Sequence, residues 1–185
     1  MYFYDYHVLP HLINLACRSK PILLQRKKII PLAEGRVLEI GMGSGLNIPF
    51  YNPNKIEFVW GLEPSEGMRR KAVKNLMKAS FDVRWLDMPG EEIQLENNVV
   101  DTVVLTYTLC SIHEWLTALH QMRRVLKTGG KLVFCEHGMA PDDSVRKWQN
   151  RINPVWNKIS GGCHLNRQID HCLKEAGFKI KHIEI

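Results

Sequence analysis

The sequence lacks any apolar run approaching the ~20 residues that cross a bilayer. Its opening, "MYFYDYHVLPHLINLACRSK", has no basic leader, long apolar segment or small-residue cleavage site, which argues against export and makes the cytoplasm the expected location. Five cysteines, Cys17, Cys110, Cys135, Cys163 and Cys172, are odd in number, scattered and set mostly among apolar neighbours. Such a pattern predicts reduced thiols rather than a disulfide framework. Internal repeats and low-complexity tracts are absent, as are a long basic tract and an aromatic-rich RNA motif, so no nucleic-acid partner is expected.

What is present suits one domain. A chain of 185 residues can bury a sizeable core but is short for two. Its 45% hydrophobic and 24% charged residues are ordinary for a globular protein. The net charge of +6 favours anionic surfaces or ligands, yet a solvated basic face explains it equally well. The densest basic stretch, Arg26-Lys27-Lys28, adjoins "PILLQ" and "IIPL". An amphipathic helix there would pack on the domain or make peripheral contact with a membrane.

Apolar period and punctuation predict helices over 5–19 and 22–33, parted around Pro21, followed by alternating strands and helices. The strands are "RVLEI", "IEFVWGL", "FDVRWL", "DTVVLT" and "KLVFCE". A helix capped by Ser65 runs to about Ala79, another over 114–126 stops at Gly129-Gly130, and a last one, capped by Asn166, covers 167–176 and ends at Gly177. Such alternation implies an α/β fold, a doubly wound and mostly parallel sheet with helices on both faces. The expected layout is a single domain: a helical segment over 1–34, a cofactor-binding core over 35–137, a helical cap over 138–165, and a final helix and strand over 166–185. Ligands of such sheets bind beyond the carboxyl ends of the strands, where strand order reverses.

The stretch "VLEIGMGSGLN" lies at that end of the first strand. Glycines let a ligand approach backbone N–H groups closely as the chain turns out of a strand into a helix. A dinucleotide loop would read G-x-G-x-x-G, but here the third glycine, Gly45, comes one residue early. The spacing therefore disfavours a nucleotide-cofactor oxidoreductase, and a plain tight turn is the alternative without a ligand. Glu63 closes the second strand, where a carboxylate can accept both ribose hydroxyls; its other reading is an acid at a helix N-terminus.

From Glu39 to Gly45 the E-x-G-x-G-x-G pattern resembles motif I of the class I S-adenosylmethionine-dependent methyltransferases. Together with "YDYHVLPHLINLAC", "LCSI", "MRRVLKTGGKLVFCEHG" and "GGCHLNR" it is similar to one branch of them, the alkyl-thiol methyltransferases and, more loosely, the quinone-biosynthesis methyltransferases. The resemblance implies a Rossmann-like fold, S-adenosylmethionine as cofactor and S-adenosylhomocysteine as product. It also implies a small, apolar thiol, hydroxylated or quinone-like acceptor. Glu39, Gly41, Gly43, Gly45 and Asn47 would hold the amino acid end of the cofactor, and Glu63 the ribose. Pro64 and Met68 would flank the adenine, with Gly90 and Glu91 at its polar edge and Asp87 as substitute. Thr106 would offer its carbonyl near the sulfonium. The resembling sheet ends in a two-strand reversed hairpin, whereas "FKIKHIEI" suffices for one strand, so the terminal antiparallel strand is expected to be missing.

Methyl transfer from a sulfonium is an in-line displacement, so holding donor and acceptor aligned in a dry pocket matters most. A base helps when the acceptor carries a proton. His137 after the fifth strand is the best candidate and His113 the second; each could equally be a structural or capping histidine. A non-catalytic basic module remains the reading from a different class. Trp148 and Trp156 suit a cap over an apolar acceptor or core packing. Cys163-His164 and His171-Cys172 are sequence neighbours that do not share a helix face, so no metal site is expected from them.

Overall fold

The computed structural model describes the backbone of residues 4–184 and all side chains among them except those at positions 5 and 6. Five strands form one sheet: β1 (Gly35–Ile40), β2 (Ile56–Leu62), β3 (Asp82–Leu86), β4 (Val100–Thr106) and β5 (Leu126–Cys135). Their order is β3-β2-β1-β4-β5, and every neighbouring pair is parallel. Order reverses between β1 and β4, so the crevice lies beyond Ile40 and Thr106. The expected doubly wound architecture is what forms.

Alternation within the central strands assigns each side chain to a layer. Leu38, Ile40, Val103 and Leu105 pack with Leu119, Met122 and Leu173 on one face. Val37, Val59 and Val104 pack with Ile30, Met42 and Tyr51 on the other. Glu39 shares the second face with Val37, which puts a carboxylate inside the core layer and 1% exposed.

Helices α1 (Leu9–Cys17) and α2 (Lys20–Ile29) precede the sheet. The break falls at Arg18-Ser19, and Pro21 sits in the first turn of α2, where a missing N–H costs nothing. Helix α3 (Glu66–Leu76) starts as expected, with Ser65 Oγ accepting from Met68 N at 3.4 Å. Helix α4 (Trp115–Val125) stops before the glycine pair. Leu126 is already extended and pairs with Val100, and Gly129-Gly130 fall instead where the β4–β5 register shifts, Gly129 at φ +83°. Helix α5 (Asp143–Ile159) is capped by Asp142, whose carboxylate accepts from Ser144 N and Val145 N.

Two expectations at the C-terminus need correction. Helix α6 (Ile169–Glu175) begins after Gln168, so Asn166 is not its cap; its amide donates to Asn150 Oδ1 at 2.8 Å. Residues 178–184 form no strand, and Ile185 lies outside the described residues. Phe178 and Ile180 do pack on the core, as the alternation in "FKIKHIEI" requires. Alternation specifies which side chains are buried, and it does not bring the backbone into reach of a neighbour's ladder. Among the described residues the sheet ends at β5, and no helix is long and apolar enough to cross a membrane.

Candidate active site

The loop leaving β1 is built by glycine conformations. Gly41, Gly43 and Gly45 have φ of +64°, +58° and +71°, values costly for any side chain. A Cβ at Gly41 would collide with the Thr108 side chain, and one at Gly43 would stand 3.2 Å from the Met68 methyl. The loop does not open a full helix as expected. It enters one 3-10 turn, Ile48–Phe50, because Pro49 and Pro53 remove donors that a longer helix would need.

Behind the loop lies a buried polar network. Glu39 accepts from Asn47 Nδ2 at 2.9 Å and from the Tyr51 hydroxyl at 2.7 Å. Asn47 Nδ2 also donates to Thr106 Oγ1 at 3.0 Å. Arg26, 5% exposed, donates to Asn47 Oδ1 at 2.6 Å and Thr106 Oγ1 at 2.8 Å, with its guanidinium 5.2 Å from the Tyr107 ring centre. Burial pushes the Glu39 carboxyl up to about 7, against the opposing pull of Tyr51, Arg26 and Asn47. Within the basic stretch Arg26 is buried against the domain, while Lys27 and Lys28 face solvent. Its position was legible, since Ile22, Arg26 and Ile30 recur every four residues along one helical face.

The N-terminal helices also cover the loop itself. Ser44 Oγ donates to Asn14 Oδ1 of α1 at 2.6 Å, and Asn75 of α3 donates to Ser44 O at 2.8 Å. Glu63 stands across from them, 8% exposed. Its Oε2 accepts from Gly43 N and its Oε1 from Ser65 N, both at 2.9 Å. A carboxylate has about four acceptor sites, so each oxygen keeps capacity for a hydroxyl. Burial raises its pKa, while those two N–H groups and Arg69 oppose the rise.

Met68 is half-buried beside Gly43, whereas Pro64 is exposed. Asp87 is exposed and ion-paired with Arg69, which also donates to Glu63 O at 2.6 Å. Gly90 is buried against Ile40, Ile112 and Ala118, with Glu91 half-buried beside it. The Thr106 carbonyl accepts from Thr108 Oγ1 at 3.1 Å, and its hydroxyl belongs to the Arg26 network.

On the acceptor side the two histidines part company. The His113 side chain is 92% exposed, with Glu114 3.7 Å away. His137 is half-buried, with Nε2 3.2 Å from Cys163 Sγ, and that thiol raises its pKa. Cys163 Sγ in turn donates to Cys110 Sγ at 3.6 Å. Glu136 turns the other way: Oε1 accepts from Thr108 N at 2.7 Å and Leu109 N at 3.0 Å, and burial pushes it up to about 7. Its Oε2 is buried without a protein partner among the described residues.

The Cys-His pairs visible in the sequence stay apart. The His164 ring meets Asn153 and Asn157, His171 is exposed beside Glu175, and Cys172 lies in the core. What the fold gathers is Cys110, His137 and Cys163, a trio from three distant segments that no local spacing could reveal. Trp148 and Trp156 are 63% and 39% exposed, on an α5 with no buried residue. That helix shows solvent a row of apolar side chains, Val145, Trp148, Ile152, Val155 and Ile159.

Residues 38–134 match the model of a family described as a methyltransferase domain. The chain is 33% identical over 157 residues to thiol S-methyltransferase TMT1B of Rattus norvegicus, covering 82% of this chain and 63% of that protein. To its Homo sapiens counterpart it is 35% identical over 167 residues, covering 86% and 67%. The chain thus spans about two thirds of the length of these relatives. A solved structure described as an S-adenosylmethionine-dependent methyltransferase, possibly a histamine N-methyltransferase, from Thermotoga maritima superposes with a TM-score of 0.66. At 22% identity over 95% of this chain and 81% of that one, this likeness speaks to the fold.

Proposed function

Because this chain belongs to the S-adenosylmethionine-dependent methyltransferases, we propose that it transfers the methyl group of that cofactor to a small apolar acceptor, with a thiol first. The observation carrying this reading is the switch-point cradle. Three left-handed glycines turn the backbone sharply off the end of β1, and Glu63, bonded to Gly43 N, keeps spare acceptor capacity at its edge. That donor and acceptor set fits the cofactor, which supplies a sulfonium-activated methyl group when bound.

The chain's own residues would then divide the work. Gly41, Gly43, Gly45, Asn47 and the Glu39–Arg26 network bind the amino acid end, and Glu63 binds the ribose. Met68, Gly90 and Glu91 line the adenine side, with Asp87 held at the rim by Arg69. Asn14 and Arg26 tie α1 and α2 down over the loop, which excludes water from the reacting centre. With no metal on its ring nitrogen, His137 would be the group to take a proton from the acceptor. A thiol is favoured because the rat and human relatives are named thiol S-methyltransferases. Hydroxylated and quinone-like compounds are the next acceptors to try.

The test has two arms. Calorimetry with S-adenosylhomocysteine should show one site per chain, and conversion of S-adenosylmethionine should follow one class in a panel of thiols, phenols and quinols. A folded sample that binds neither form of the cofactor would overturn the reading.

A further inference from the structure

On the same rim, Cys110 Sγ, His137 Nε2 and Cys163 Sγ all lie within 4.8 Å of one another. The two sulfurs are 3.6 Å apart and the nitrogen is 3.2 Å from Cys163 Sγ. Zinc bonds of about 2.3 Å to sulfur and about 2.0 Å to nitrogen give tetrahedral edges of about 3.8 Å between sulfurs and about 3.5 Å between sulfur and nitrogen. The two separations that involve Cys163 fall within a few tenths of an ångström of these, and Cys110 Sγ and His137 Nε2 lie within 4.8 Å of each other. A disulfide would need the sulfurs at about 2.05 Å, so the trio is closer to chelation than to a bond between its thiols.

The segments bearing the ligands are also pinned. His164 N donates to Cys110 O at 2.8 Å, fastening the turn that carries Cys163 onto the one that carries Cys110. Asn157 holds that turn through Gly162 O at 2.7 Å. Gln149 Nε2 donates to Gly138 O at 2.9 Å, next to His137, and Arg167 donates to Ile112 O at 2.6 Å. Such supporting bonds orient metal ligands and keep a site formed before the ion arrives. Two thiols and an imidazole select a soft or borderline ion over magnesium or calcium. Three protein ligands leave a fourth position open, the arrangement of catalytic rather than structural zinc.

We propose that Cys110, His137 and Cys163 form a zinc site whose open position takes the acceptor thiol as its fourth ligand. The metal site stands independently of the methyl-transfer reading; the role of its fourth ligand rests on that reading. On binding, the acceptor's S–H proton passes to solvent. A sulfur lone pair of the bound thiolate then forms the new S–CH3 bond as the sulfonium–CH3 bond breaks. The electrons of the broken bond stay with the departing sulfur, and the product thioether, a weak ligand, leaves the metal. In this role His137 is a ligand rather than the base.

The experiment uses the full chain, reduced and stripped of metal, titrated with Co2+ or Zn2+ alone. Expected are one ion per chain and, for cobalt, a thiolate-to-metal charge-transfer band with an intense tetrahedral visible band. Cys110→Ser and Cys163→Ser should each weaken binding about 100-fold or more while still binding S-adenosylhomocysteine, and Cys172→Ser should bind metal normally. Adding 2-mercaptoethanol should shift the cobalt bands. Wild-type protein that binds the cofactor product but no metal, or metal binding indifferent to both serine variants, overturns the site. Cobalt bands that ignore the thiol overturn its catalytic use. Metal binding without cofactor binding leaves the site standing and defeats the proposed function instead.

Discussion

Glu39 offers the sharpest test of the buried network. Its carboxyl is drawn from an ordinary 4.5 to about 7, chiefly by burial. Folding therefore favours the protonated form. Stability from this group is fully present below the unfolded value and is lost as pH rises from about 4.5 to about 7, because the folded state holds a proton that the unfolded chain has released. One pKa unit is worth about 1.4 kcal/mol, so the full swing is about 3 kcal/mol, of which about 2.5 kcal/mol falls between pH 5 and 8. Glu136 shifts in the same direction, so wild-type protein alone cannot isolate Glu39. Glu39→Gln does. It replaces one of the two carboxyl oxygens that accept from Asn47 and Tyr51 with an NH2 donor, costing about 1–3 kcal/mol, but abolishes the titration. Urea unfolding of both proteins at pH 5, 6, 7 and 8 should show the wild-type advantage shrinking by about 2.5 kcal/mol toward high pH. A difference constant to within about 0.5 kcal/mol across that range would refute the argument from burial.

Three further outcomes follow from the site. Glu63→Ala should weaken S-adenosylhomocysteine binding by about 10- to 100-fold in calorimetry with the fold retained, the loss of one or two hydrogen bonds to a charged group. Gly41→Ala combines a φ of +64° with collision against Thr108. Its Tm in a thermal melt should fall by about 4–8 °C, as about 2 kcal/mol does in a chain of this size; an unchanged Tm would mean the loop relaxes freely. His113→Ala should leave kcat/KM for methyl transfer within about twofold, because that side chain is 92% exposed. A tenfold loss would show that His113 reaches the reacting centre.

The turn expected to hold the cofactor was legible as a backbone feature because its signals are local. Gly41, Gly43 and Gly45 are needed by the backbone turn itself, and Glu63 follows directly from where β2 ends. The Ser65 cap was likewise written in a short stretch. The misses share one cause: a local pattern was asked to report on a distant partner. Asn166 looks like a helix cap until Asn150 supplies its partner, and "FKIKHIEI" looks like a strand until the sheet ends at β5.

By itself the sequence determined the parallel α/β architecture, the glycine cradle and its acid. These depend on backbone conformation and on alternation, which act over a few residues. Only the tertiary structure decided that Arg26 and Glu39 share a buried network, that His113 stands in solvent, and that Cys110, His137 and Cys163 meet. Those outcomes depend on where three or more separate segments converge. Such convergence is set by packing of the whole core and leaves no periodic trace in the chain.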